Sequence, residues 1–140
     1  MNQNNEIKFN KSLKNLNMAM KSLGEYLKKP NYSDLERAGI VQNFEIVFEL
    51  FWKTIQKKGD VQGRGVGGAR DAFVLAFEWG LIPDEKLWFN MIQDRNLTVH
   101  TYNQDLAMEI IERLKNKYFP AFQGLLEALK KANPEEETDS

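Results

Sequence analysis

The chain has 140 residues, a net charge of −1 and no cysteine. That length suits one domain around one hydrophobic core. Disulfides and thiolate chemistry are excluded, and no apolar run approaches the ~18 residues that suggest a membrane span.

The first six residues are polar and lack an apolar h-region, so the sequence predicts a cytoplasmic protein without a secretory signal. Residues 7–27 then read as a helix. Ile7, Leu13, Leu16, Met20, Leu23 and Leu27 mark its apolar stripe, with Lys8, Lys11, Lys14 and Lys21 between them. Such lysines read as a solvated face, not as the footprint of a dedicated nucleic-acid binder. Lys28-Lys29-Pro30-Asn31 ends the helix. Ser33-Asp34-Leu35-Glu36 has the form of a capping box, with a hydroxyl at the N-cap and a carboxylate three residues later. The second helix runs to about Lys57. Its face of Ile40, Phe44, Val47, Phe48, Phe51, Trp52 and Ile55 is core or subunit interface, and its wealth of aromatics hints at self-association. Glu45 and Glu49, one turn apart, read as surface residues.

Gly63-Arg64-Gly65-Val66-Gly67-Gly68 matches the dinucleotide-binding glycine pattern in form only. A helix precedes it, where that mechanism needs a strand. It reads as an inter-helix loop, with Arg64 and Arg70 able to bring positive charge to an anionic partner. A third helix spans about 69–79 and stops at Gly80. Pro83-Asp84-Glu85 starts a fourth, its acids suited to the positive end of the helix dipole. Leu87, Trp88, Met91 and Ile92 are its apolar side. Asn103 caps a fifth, with Leu106, Ala107, Ile110, Ile111 and Leu114 facing inward. Pro120 interrupts that helix or begins a new turn, and helix resumes to Ala132.

No segment has strand periodicity with strand punctuation. The pattern predicts an all-α, up-and-down bundle of five or six helices, one domain over residues 1–132. Glu135, Glu136, Glu137 and Asp139 give residues 134–140 a charge of −4, which leaves +3 for the rest of the chain. This tail, 133–140, is predicted to be disordered.

The stretch with chemistry is Arg95-Asn96-Leu97-Thr98-Val99-His100-Thr101-Tyr102, which holds the only histidine. Guanidinium, imidazole and phenol side by side suit work on a phosphate. Asn96 and His100 share a helix face, but Arg95 lies about 140° around an ideal helix from His100. The two converge only across a bend, a helix end or a cleft. The plain alternative pairs Arg95 with a carboxylate and leaves His100 in a helix-junction hydrogen bond. No metal-ligand set or cofactor loop stands out elsewhere.

Asp94-Arg95-Asn96-Leu97-Thr98-Val99-His100-Thr101-Tyr102 resembles the R-x4-H-x-Y signature of HEPN domains of the nucleotidyltransferase substrate-binding protein family, the HepT-like toxins. The likeness extends through Ala69-Arg70-Asp71-Ala72-Phe73, Trp79-Gly80-Leu81-Ile82-Pro83-Asp84 and Trp88-Phe89-Asn90-Met91-Ile92. It implies a HEPN-like four- or five-helix bundle that forms a homodimer and pairs with a minimal nucleotidyltransferase. It implies one of two activities. In the first, the chain is a metal-independent ribonuclease toxin with Arg95, Asn96 and His100 as catalytic residues, silenced by AMP placed on Tyr102 by the transferase as antitoxin. In the second, it is a non-catalytic subunit that binds a nucleotide or substrate for the transferase.

Overall fold

Six α-helices and one π-turn follow one another along residues 3–132, the residues that the computed structural model describes. They are α1 (Gln3–Tyr26), α2 (Asp34–Val61), α3 (Ala69–Glu78), α4 (Lys86–His100), α5 (Gln104–Arg113), the π-turn (Leu114–Tyr118) and α6 (Phe119–Lys131). No strand occurs among these residues, and no helix is long and apolar enough to cross a membrane. The predicted tail, 133–140, lies outside the described residues. With α5 and α6 joined through the π-turn into one rod, this is the expected all-α bundle of five helices.

The contacts set the directions. Ser12 meets Thr54 in a buried 2.6 Å hydroxyl pair, and Asn5 reaches the Asp60 carbonyl, so α1 and α2 are antiparallel. Glu45 pairs with Thr98 and Glu49 with Arg95, so α4 also runs against α2. The α5–α6 rod runs against α4, with Arg113 on Asp94 and Phe122 on Trp88. The bundle is up-and-down, with α3 a short cross-link.

Local chemistry starts α2 and α5 where the sequence predicts, whereas α2 runs on to Val61 and α4 begins at Lys86, after Pro83-Asp84-Glu85. The Glu36 amide donates to Ser33 Oγ at 3.1 Å, and the Ser33 amide donates to Glu36 Oε1 at 2.9 Å. That capping box satisfies two otherwise orphaned donors. Lys29 also bonds Glu36, and its hydrogen bond, with that of the Ser33 amide, holds the carboxyl below its usual range. Asn103 caps α5, its Oδ1 accepting from the Leu106 amide at 2.8 Å. After α2, Gly63 turns the chain at a φ of 74°, a left-handed conformation that glycine adopts without a Cβ penalty. Four residues earlier, a Cβ at Gly59 would stand 2.7 Å from the Arg64 carbonyl oxygen. The glycine-rich stretch is thus a tight inter-helix turn folded back on α2.

One expectation needs correction. Ile7 is 61% exposed and Phe9 takes the core position. At 100° per residue Ile7 falls about opposite the Leu13–Leu16–Leu23 stripe, whereas Phe9 falls within it. Of the two readings of the aromatic face of α2 the structure shows core: Phe44, Phe48 and Phe51 are fully buried within the single chain. Their rings pack on α3, α4 and α6: Phe51 on Phe122 at 4.9 Å, Phe48 on Phe73 at 5.5 Å, and Phe51 on Trp88 at 5.9 Å. Trp52 sits at the edge, partly buried. Rings that fill a common core at these separations bring contact energy beyond area burial.

At Pro120 the rod continues instead of breaking. A proline cannot donate to the carbonyl four residues back and its ring crowds that carbonyl. The wider π-turn just before it, with α6 starting at Phe119, puts Pro120 in a first turn that lacks that demand.

Candidate active site at the end of the fourth helix

Helix α4 is continuous from Lys86 to His100, so no bend brings Arg95 and His100 together. Arg95 faces α2. Its Nη1 donates to Glu49 Oε2 at 3.0 Å and its Nε to Asn96 Oδ1 at 2.9 Å. The guanidinium also lies 4.9 Å from the Phe48 ring centroid, a cation–π contact. With its side chain 23% exposed, Arg95 is the recessed member of the set. The plain alternative is therefore correct for Arg95: it pairs with a carboxylate.

His100 is the last residue of α4 and is exposed, with no hydrogen bond or ion pair among the described residues. The helix-junction hydrogen bond expected in the plain alternative is absent. Asn96 shares its face one turn away and is exposed as well. Asn96 thus stands on the His100 face while its amide oxygen accepts from Arg95. Past the helix end, Tyr102 is 43% exposed, its hydroxyl within 3.5 Å of Gln104 Nε2. Gln104 Oε1 in turn accepts from Arg37 Nε at 2.8 Å. One chain therefore offers an open imidazole and phenol and, around the helix, a tethered guanidinium.

The residues that the sequence reading missed are carboxylates. Glu49 is not a free surface acid: it bridges Arg95 and Lys53, the latter at 3.5 Å. Glu45 accepts from the buried Thr98 hydroxyl at 2.6 Å. Both sit beside the Phe44–Phe48–Phe51 stripe on α2, at the flank of the core face. That flank position is the signal that marks them as facing a neighbouring helix.

A second polar cluster anchors the same stretch from the other side. Asp94, next to Arg95, takes Arg113 Nε and Nη2 at 2.8 and 3.0 Å and the Tyr118 hydroxyl at 2.5 Å. Burial, then the Asp94 hydrogen bond and charge, push the Tyr118 phenol far above its usual range. Burial works against the Arg113 charge, but the Asp94 bond and charge outweigh it and hold the guanidinium above its ordinary value. The two arginines near the glycine-rich turn have partners: Arg64 lies near Glu78 and Asp71, and Arg70, in the first turn of α3, covers the Phe89 ring at 4.1 Å.

Residues 9–131 match the family model described as "Nucleotidyltransferase substrate binding protein like". The chain is 32% identical over 101 residues to a protein of Haemophilus influenzae named "Probable ribonuclease HepT", a match covering 69% of this chain and 68% of that one. A crystal structure of a Thermus thermophilus protein superposes with a TM-score of 0.74 at 36% identity, covering 82% of this chain and 98% of that one.

Proposed function

This chain belongs to the family of nucleotidyltransferase substrate binding protein like chains, and on that premise we propose that it is a HEPN-type, metal-independent endoribonuclease acting as a cytoplasmic homodimer. The observation that carries the reading is His100 at the free end of α4, exposed and unpartnered among the described residues, with Asn96 and the Arg95 guanidinium behind it. The ribonuclease named among its relatives supports the same class.

The chemistry follows from what each group can do. A ribose 2′-hydroxyl attacks the neighbouring phosphorus, the bond to the leaving 5′-oxygen breaks, and a 2′,3′-cyclic phosphate forms. One imidazole takes the hydroxyl proton and another gives a proton to the leaving oxygen. One His100 cannot hold both positions, whereas a two-fold dimer provides two copies. Arg95 stabilises the charge on the phosphorane. Only its Nη2 lacks a partner among the described residues. Two of its five N–H donors are taken, by Glu49 and Asn96, so phosphate shares the guanidinium with Glu49. Tyr102 is the acceptor in the proposed control step. Its phenolic oxygen attacks the α-phosphorus of ATP on a cognate nucleotidyltransferase, pyrophosphate leaves, and AMP adds bulk and negative charge beside the site.

The test is cleavage of RNA by the purified chain in chelator. His100→Ala should abolish it while the fold and dimer persist, and equal cleavage by the variant removes His100 from the mechanism. A second reading, a non-catalytic subunit that presents a nucleotide or substrate to the transferase, is favoured by the ion pair of Arg95 with Glu49. No cleavage, alongside a tight complex with the transferase and no gain of AMP on Tyr102, selects it.

A further inference from the structure

Between the end of α1 and the first turns of α2 lies a pocket of about 280 Å³, apart from the residues assigned above. It is small among ligand pockets, which restricts it to a compact guest. Tyr26 and Tyr32 offer rings, Asn43 an amide, and Gly39 leaves part of the wall open, with Lys29 and Glu36 also lining it.

The Asn43 amide is the recognition element. Its Nδ2 donates to the Gly39 carbonyl at 2.9 Å, and a carbonyl only accepts, so the amide orientation is fixed. One N–H and the Oδ1 remain for a guest. That donor–acceptor pair complements the acceptor N7 and donor N6 of adenine, the bidentate match that asparagine makes to this base. Tyr32 is held in place: its hydroxyl donates to the Tyr26 carbonyl at 2.9 Å, and Lys115 lies 4.8 Å from its ring centroid. A wall fixed before binding loses little entropy on taking a flat heterocycle. The wall is also joined to the proposed reaction centre. Arg37 donates to the Tyr32 carbonyl at 2.7 Å and to Gln104, whose amide reaches the Tyr102 hydroxyl.

We propose that this pocket binds an adenine base, of a free nucleotide or of an RNA strand that passes the His100 end of the molecule. The strand source rests on the ribonuclease reading, whereas the pocket does not. Gly39 provides the test. A Cβ there meets nothing within 4 Å, and its φ is not positive, so Gly39→Leu fills the space without straining the helix. The full chain is titrated with AMP, with UMP, and with 2′-O-methyl oligoadenylate and oligouridylate, which cannot be cleaved. Adenine probes should bind about tenfold or more tightly than uracil probes, and Asn43→Ala should weaken them about tenfold. Gly39→Leu should abolish binding with no loss in melting temperature. Binding of AMP alone selects the free nucleotide as the source, and binding of oligoadenylate alone selects the strand. Equal affinity for adenine and uracil, parental affinity in Gly39→Leu, or no binding of any probe overturns the pocket. RNA cleavage that needs His100, with no adenine probe bound, overturns the pocket and leaves the ribonuclease reading standing. Adenine binding without RNA cleavage does the reverse.

Discussion

Asp94 and Arg95 are neighbours on one helix, yet they belong to opposite kinds of cluster. Asp94 is enclosed: Arg113 grips both of its oxygens and Tyr118 adds a third donor. Arg95 begins a stretch with an open end, from its own ion pair with Glu49 to an unpartnered His100 side chain and an exposed Tyr102. Satisfied polar groups fix a helix in place, because breaking them strands buried charge. Unsatisfied ones at a fixed position remain available to a guest. The closed cluster holds α4 in place and leaves the side chains of the open one free at its end.

The comparison breaks if the two clusters exchange roles under mutation. The largest effect is expected at the open end, where His100→Ala should lower RNA cleavage by about 100-fold or more, the typical reach of acid–base catalysis. Its melting temperature should stay at the parental value; a drop of several degrees would falsify the division of labour. Next comes the closed end. Asp94→Ala leaves Arg113 and Tyr118 without their shared acceptor and should cost about 2–3 kcal/mol of stability, read from denaturant midpoints. Purified folded variant should still bind RNA.

Tyr118→Phe sharpens the same point with pH. The folded phenol titrates above its unfolded value of 10.0, so its contribution is intact below that pH and is lost as pH rises beyond it. Unfolding curves should show stability falling above about pH 10, with a shallower fall in the phenylalanine variant; parallel curves would show that Tyr118 contributes nothing. At lower pH the variant should lose about 1–2 kcal/mol through the missing bond to Asp94. The smallest effect on stability belongs to Glu49→Gln, because a half-exposed ion pair is worth about 0–1 kcal/mol. It frees Arg95, so RNA affinity should rise a few-fold in a filter-binding assay. A fall in affinity would make Glu49 a support of the arginine instead of a competitor with phosphate.

What the sequence reveals and hides follows from the range of the forces. Ser33 and Asn103 are legible because a cap bonds an amide three residues on. The five-helix bundle is legible because apolar stripes repeat every three or four residues. Ile7 misleads because a stripe read by residue type ignores where 100° per residue places its first member. The Arg95-to-Tyr102 motif is visible as a string, but its splitting around α4 depends on helix continuity through His100. Glu45 and Glu49 stay hidden because their partners lie 53 and 46 residues away, set by how α2 meets α4. The π-turn before Pro120 is a local answer to proline that periodicity does not reveal.

Trp88 carries one more consequence. It is the indole buried among Phe51, Phe73 and Phe122, and it belongs to the helix that ends in His100. The other two tryptophans, Trp52 and Trp79, are only partly buried. Its emission should therefore be the bluest of the three and the least accessible to a water-borne quencher. A conservative set of Trp52→Phe and Trp79→Phe leaves a single fluorophore that reads α4 alone. The protein thus has a built-in optical gauge on the helix that ends in His100, with no label attached.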